Sequence, residues 1–383
     1  MSERVAIVGI GWSGFRPGTP DVSYKEMIYE AAVRAYNDAG VDPRKDVQSF
    51  VTVAEDFHEG TSIFDEYTPD QLGAAMKSMH TITGDGLHGL ATAVMLIRTG
   101  RFDVVAVEGH SKASNILTPD AITAYAQDPV LNRPLRLNTH FVAGMEMNRY
   151  LYESGADADA CAGVVSKNRR NALKNPLASF AADFSPDEVL GGPSLAWPLG
   201  MHETAKSADG AVVMVLASEK TSASLTDNPI WIAGIGWCND SPSLESRAWA
   251  KLPYIEKSAR MAFQQAGIKN PFGEIDFAEI DDTYAYKELQ SLEALGVCGF
   301  GQAGALLKDG VLDPAGEFPV NVSGGSLGVG HLLDATGLHR ALEAALQLRG
   351  EAGAHQLKDV HVGLVQSWRG VPTTSGAVAV LTN

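Results

Sequence analysis

Residues 5–10, Val-Ala-Ile-Val-Gly-Ile, are an almost unbroken apolar run, and residues 24–39 then carry Met27, Ile28, Ala31 and Ala35 at helical spacing before Gly40. A short continuous run followed by a 3.6-residue period predicts a buried strand and an amphipathic helix stopped by glycine. Residues 47–54 predict a second strand, and residues 87–99 a helix with Leu90, Ala91, Val94 and Ile97 on one face. Residues 103–108 predict another buried strand. Strand, helix, strand, helix, strand is the α/β pattern. Between them, residues 55–71 are polar and aromatic (Asp56, His58, Asp65, Tyr67, Asp70) and read as a surface or interface loop. Residues 114–198 break the pattern with prolines at 119, 129, 134, 176, 186, 193 and 198. They read as a long insertion with a helical part at 146–175, of the kind that covers a site or makes subunit contacts. Residues 207–217 return to the core as a strand after Asp209-Gly210.

The pattern then starts again. Ile232-Ala-Gly-Ile-Gly-Trp237 echoes Ile7-Val-Gly-Ile-Gly-Trp12, and Ser258-Ala-Arg-Met-Ala-Phe-Gln-Gln-Ala-Gly267 echoes Ala31-Ala-Val-Arg-Ala-Tyr-Asn-Asp-Ala-Gly40. The two matches are displaced by 225 and 227 residues, so they keep nearly one register. The glycine-rich turn at 81–89 finds its counterpart around His331. Matches in one order predict two copies of one α/β unit, residues 1–225 and 226–383, about a pseudo-twofold axis. The site is then expected where the turns at 81–89 and 323–331 meet, with helix N-termini available to polarise a carbonyl oxygen.

Composition narrows the partners. The 383 residues are 45% hydrophobic and 20% charged, as in globular proteins, and a net charge of -16 argues against nucleic acid or an anionic membrane surface. No apolar run approaches the roughly 18 residues of a spanning helix, and a reducing cytoplasm is the expected setting. Cys161, Cys238 and Cys298 are too few and too far apart for a disulfide framework or a zinc site.

The candidate chemistry lies at 320–337, Val-Asn-Val-Ser-Gly-Gly-Ser-Leu-Gly-Val-Gly-His-Leu-Leu-Asp-Ala-Thr-Gly. Glycines allow close backbone approach, and a histidine behind such a loop can transfer protons near neutral pH. The same string also reads as an ordinary turn with a satisfied histidine. Gly9-Ile-Gly11-Trp-Ser-Gly14 lacks the dinucleotide fingerprint.

These strings, with Ser207-Ala-Asp-Gly210-Ala, Leu295-Gly-Val-Cys-Gly-Phe-Gly-Gln-Ala-Gly304, Pro319-Val-Asn-Val-Ser-Gly-Gly325, Gly330-His331, Ala335-Thr-Gly337 and Gln347-Leu-Arg-Gly350, resemble the thiolases. The resemblance is to the branch of sterol-carrier-type and archaeal acetoacetyl-CoA thiolases, and it covers nearly the whole chain. It implies a duplicated five-layered αβαβα fold, a homodimer, and acyl-CoA and CoA as substrates with no covalently bound cofactor and no metal. Members of this branch often work with a small zinc-ribbon and OB-fold protein; no Cys-x-x-Cys pair stands in this chain, so such a module would be a separate subunit.

The departures matter more. Counted from Gly100, the family's nucleophilic cysteine falls on Thr83, within Thr83-Gly84-Asp-Gly86-Leu, and Cys298 matches a position that is not the nucleophile. The family's C-terminal cysteine or histidine falls on Gln366. His331 keeps the Gly-His histidine, with Leu332 in place of proline. The Asn-Glu-Ala-Phe motif lands on Asp281-Asp282-Thr283-Tyr284, where Asp281 takes the place of the group that orients water or an oxyanion. Two adjacent carboxylates can shift each other's pKa, one serving as base or neutral donor.

A threonine hydroxyl is a poor substitute for a thiol. Three readings stay open. In thiolysis, CoA activated by His331 attacks a β-keto thioester directly. In retro-aldol cleavage, Asp281 or His331 removes the hydroxyl proton of a β-hydroxy thioester, as in steroid side-chain aldolases that look like thiolases. In the third, the chain is a non-catalytic subunit of a heteromer. The retained His331 favours thiolysis by an acyltransferase. Thr83, Gly84 and Gly86 are expected to leave room for a bulky or aromatic acyl group, with Tyr284, Gly325 and Gln366 lining the site. Trp368 and Arg369 read either as a stacking face and a carboxylate partner or as a buried tryptophan and a surface arginine. His88, His110 and Lys112 read as supports. Lys167, Arg169 and Arg170 read either as a nucleotide site or as a solvated helix face.

Overall fold

The computed structural model describes residues 3–55, 63–116, 124, 127–370 and 373–383. Asp56 and His58 lie outside the described residues. Nine strands form one sheet in the order β3-β2-β4-β7-β1-β8-β11-β10-β9. They are β1 (Val5–Arg16), β2 (Ser49–Val53), β3 (Ser78–Ile82), β4 (Val104–Lys112), β7 (Asp209–Ser218), β8 (Ile230–Asn239), β9 (Phe277–Glu279), β10 (Val362–Trp368) and β11 (Ser375–Thr382). Strands β5 (Ser194–Ala196) and β6 (Leu199–Gly200) form a separate hairpin in the insertion. The longer helices are α1 (Tyr24–Ala39), α2 (Gly86–Arg98), α3 (Thr139–Ser154), α4 (Ala158–Asn171), α5 (Pro253–Ala266), α6 (Ala285–Ala294) and α7 (Thr336–Arg349).

The repeat is visible in the pairing. β1 runs antiparallel to β7, β7 to β4, and β4 parallel to β2. The second half repeats this with β8, β11, β10 and β9. The half-sheets join through β1 and β8, where the partners are Ala6 with Trp231 and Ile7 with Ile230. Helices α2 and α7 share one buried cluster with strands of both halves. α1 covers the outer face of the first half and α5 that of the second. The layers are therefore αβαβα. Close approach is built in: a Cβ at Gly9 or Gly11 would strike α1, and one at Gly234 or Gly236 would strike α5.

Two predicted elements differ. The stretch before the first glycine-rich turn is not all turn: Ser78–Ile82 pairs with β2 as an edge strand, half-exposed and polar, so no apolar run marked it. The helical part of the insertion is two helices, broken at Gly155 (φ 74°), with Asn138 and Asp157 capping their N-termini. On α4, Lys167 and Arg169 are buried and Lys167 pairs with Glu288 (3.1 Å), so this is not a solvated face; Arg170 is exposed and pairs with Asp183.

Candidate functional site

Both glycine-rich turns sit at helix starts in the middle of the molecule. In the first, β3 leads through Thr83 and Gly84 to Asp85, which caps α2 by accepting from Leu87 N–H (3.0 Å). The other Asp85 oxygen accepts from Gly337 N–H (2.8 Å), in the first turn of α7. One carboxylate thus joins the two pseudo-equivalent helices. Burial pushes its pKa up to about 6, against the hydrogen bonds and Arg340 that favour the charge. The helix N-termini expected to polarise a substrate carbonyl are in part already taken by Asp85. The glycines at this crossing serve packing: a Cβ at Gly86 would strike Leu338 N, and one at Gly337 would strike Asp85. Gly86 therefore leaves no space for an acyl group, contrary to the sequence expectation. Gly84 (φ 146°) rests over His88, whose ring would lie about 3.2 Å from an added Cβ. Thr83 is exposed.

The second turn is held from below. Gly324 and Gly325 have φ of 104° and 58°. Ser326 N–H and Leu327 N–H donate to Asp282 (2.6 and 3.1 Å), and a Cβ at Gly325 would collide with that carboxylate. Gly325 is thus glycine to admit Asp282, not to line a substrate. Asp282 also accepts from Asn168 (2.9 Å), and burial raises its pKa to about 6 although Arg340 opposes this. Asp281 pairs with Arg340 (3.2 Å) and accepts from Thr283 N–H (3.0 Å). Both aspartates are buried, in a loop cross-linked by one arginine. The pair expected to act as base and neutral donor is tied into the frame of the site.

An extended segment, residues 203–208, joins the aspartate loop to the histidine loop. Ala285 N–H donates to Glu203 O, Ala205 N–H to Thr283 O, His331 N–H to Lys206 O and Ala208 N–H to His331 O, at 2.8–3.0 Å. His331 is half-buried, with Nδ1 3.1 Å from Thr336 Oγ1. The Thr336 hydroxyl is also 2.8 Å from Leu333 O, and when it donates there its oxygen can accept from His331 Nδ1–H. This arrangement suits the tautomer that carries its proton on Nδ1.

Gln366, on β10, is fully buried. Its Oε1 accepts from Asp281 N–H (2.9 Å), while its Nε2 has no hydrogen-bond partner among the described residues. A buried amide donor without an acceptor needs an explanation. Tyr284 is buried, its hydroxyl 3.3 Å from His140 Nδ1 and its ring near Trp368. Trp368 is itself buried, donates to Thr373 O and carries Lys287 Nζ 4.2 Å over its ring. Arg369 is paired with Glu55. Stacking on an acyl group and pairing with a substrate carboxylate are thus replaced by contacts within the chain. His88 contacts Ser375 (3.3 Å), and burial, then Arg369, push its pKa down to about 4. His110 and Lys112 pair with Glu108 and Asp209 on β4 and β7.

Arg340 and Asp85 were missed in the sequence. Neither bears a local mark of its role: the partners of Arg340 and the second helix that Asp85 caps lie far away in the sequence. Cys161 and Cys298 are no substitute nucleophiles, since burial pushes both thiols up, Cys298 to about 12. Among the described residues no group of three or more His, Cys, Asp or Glu could hold a metal ion, and no helix is long and apolar enough to cross a membrane.

The Thiolase C-terminal domain-like family matches residues 238–383. The acetyl-CoA acetyltransferase of Methanothermobacter thermautotrophicus is 28% identical over 384 residues, covering 98% of each chain. The benzoylsuccinyl-CoA thiolase subunit BbsB of Thauera aromatica is 30% identical over 217 residues, 56% of each. The solved Ltp2–ChsH2(DUF35) aldolase superposes with a TM-score of 0.83 at 26% identity, covering 99% of this chain and 97% of that one. The chain belongs to the thiolase superfamily, and thiolase-superfamily chemistry on CoA-linked substrates goes with that membership.

Proposed function

We propose that the chain is a retro-aldolase that cleaves a β-hydroxyacyl-CoA without a cysteine acyl-enzyme. The observation that carries this is the nucleophile position itself: it holds an exposed threonine, and burial pushes the thiols of Cys161 and Cys298 up, while His331, in contact with Thr336, remains as the proton-transfer group. The full-length likeness to an aldolase supports the same reading over thiolysis.

In this mechanism His331 Nε2 takes the β-hydroxyl proton. The Cα–Cβ bond breaks, the β-carbon becomes a ketone or aldehyde carbonyl, and the bonding electrons pass to the thioester as an enolate. The Gln366 NH₂ donates to the enolate oxygen, a contribution of roughly 3 kcal/mol for one well-placed donor. Protonation at Cα releases the shortened acyl-CoA. Asp281 and Asp282 hold the loop and carry no proton in this scheme, and Thr83 and Tyr284 contact substrate.

The acyl group we propose is bulky, in line with the likeness to a benzoylsuccinyl-CoA thiolase subunit. The partner we propose is a separate DUF35-type subunit, by likeness to the Ltp2–ChsH2(DUF35) complex. The core is a homodimer, for which the half-exposed edge strand β3 is a suitable seam.

The test is product analysis by mass spectrometry on β-hydroxy and β-keto acyl-CoA panels, each with and without free CoA, using protein co-purified with its partner. A carbonyl product and a shorter acyl-CoA from hydroxy substrates in the absence of CoA is the expected result. Cleavage of keto substrates alone, and only with CoA, would replace this reading by thiolysis. No turnover in either panel would leave a non-catalytic subunit.

A further inference from the structure

Among the described residues Arg340 is one of the largest fully buried side chains, and the hydrogen-bond and ion-pair partners it has there lie off its own helix. Its Nη1 is 3.2 Å from Asp281 and 2.9 Å from Ser367 Oγ; its Nη2 is 2.9 Å from Ser326 Oγ and 3.6 Å from Asp282. One planar fork therefore touches the aspartate loop, the second glycine-rich turn and the end of β10. Asp85 on α2 also feels its charge. On the far side of Asp282 stand Glu288 on α6 and Arg169 on α4, with Lys167 on Glu288. Three cations and four carboxylates share this buried frame, and Arg340 is the cation that reaches both adjacent aspartates.

The contact that matters is one step further on. Asp281, gripped by Arg340, gives its backbone N–H to Gln366 Oε1 (2.9 Å). An amide whose oxygen is fixed can present only its NH₂ to the other side. We propose that Arg340 is a positioning residue: by holding Asp281 it holds the Gln366 amide in the one orientation that aims Nε2 at the enolate oxygen. This rests on the enolate chemistry proposed above. A lysine at this position keeps the charge but cannot span the three loops, because its ammonium is a point donor where guanidinium is a rigid fork.

Enolate formation can be read without C–C cleavage. Complete protein with its partner is incubated with acetyl-CoA in D₂O, and deuterium at Cα is followed by mass spectrometry. Wild type is expected to exchange, and Arg340→Lys to exchange ~10²-fold more slowly with acetyl-CoA affinity kept within threefold. Gln366→Met is expected to lose a similar factor. In the Gln366→Met background, Arg340→Lys should cost less than a further threefold, because both act on one donor. Asp281→Asn is the second variant should Arg340→Lys not fold. It keeps the backbone N–H, loosens the grip of Arg340, and should again be non-additive with Gln366→Met. Multiplicative losses in the double variants, or full exchange in Arg340→Lys, would overturn the positioning role and leave the enolate mechanism standing. A wild-type protein that does not exchange would overturn both.

Discussion

The hydrogen bond between His331 Nδ1 and Thr336 does more than hold a ring. Without the Thr336 hydroxyl the proton is free to sit on either nitrogen, and the fraction with a basic Nε2 falls. Thr336→Val should lower kcat by ~10-fold with little change in KM, and Thr336→Ser should restore it; His331→Ala should lose ~10²–10⁴-fold. Steady-state kinetics on the cleaved substrate checks all three. A second residue-scale prediction concerns Glu279. It lies beneath the second turn and accepts from Ser323 N–H and Oγ–H (3.1 and 2.6 Å). Burial, then the nearby Glu343 charge, push its pKa up to about 7, against Ser323 and His355. The folded state therefore favours the protonated acid. Its stabilising contribution is full below the unfolded pKa and is lost as pH rises toward 7. Glu279→Gln should remove that part of the pH dependence, so its Tm relative to wild type should rise between pH 5 and pH 8. Thermal unfolding at both pH values is the measurement. A gap that stays constant would show that the carboxyl is ionised throughout.

At the scale of elements, α2 and α7 meet at their N-termini. Asp85 caps both helices, and Gly86 and Gly337 allow them to touch. Gly86→Ala and Gly337→Ala should each destabilise by about 1–3 kcal/mol through overpacking. By contrast, Gly40→Ala has open space and only the αL conformation to resist it, and should cost less. Denaturant midpoints separate the two cases. The glycines were legible in the sequence as a feature, but their purpose was not. A glycine that admits a helix and one that admits a ligand look alike until the partner, here some 250 residues away, is in view. The same holds for Arg369 and Trp368. Their residue types suit substrate contact, yet Glu55 and Lys287, distant in sequence, already occupy them. What local pattern did convey was the strand–helix rhythm and its repetition, because apolar runs and helical periods need no long-range partner. β3 escaped because an exposed edge strand carries no such run.

For the whole molecule, the internal repeat predicted the most. Ile7-Val-Gly-Ile-Gly-Trp12 and its echo at 232 became β1 and β8, the two strands at which the half-sheets meet. The repeat paired the turn at 81–89 with the one around His331, and in the structure the helices that follow them, α2 and α7, are joined by Asp85 and Gly337 N–H. The buried frame around Arg340 was beyond reach, since it gathers α2, α4, α6, α7 and β10 from both halves.

The β1–β8 junction carries one more consequence. Among the described residues two strand pairs, Ala6 with Trp231 and Ile7 with Ile230, form its register, while α2 and α7 bury a shared apolar surface. The connection between the halves leaves β7, passes the short helix Glu219–Leu225 and reaches β8 through exposed residues around Asp227. The covalent link is thus peripheral to what binds the halves. Two polypeptides, one ending and the other beginning near Asp227, should find each other when made in the same cell and rebuild the active protein. Gly86→Ala in the first piece should prevent them from doing so.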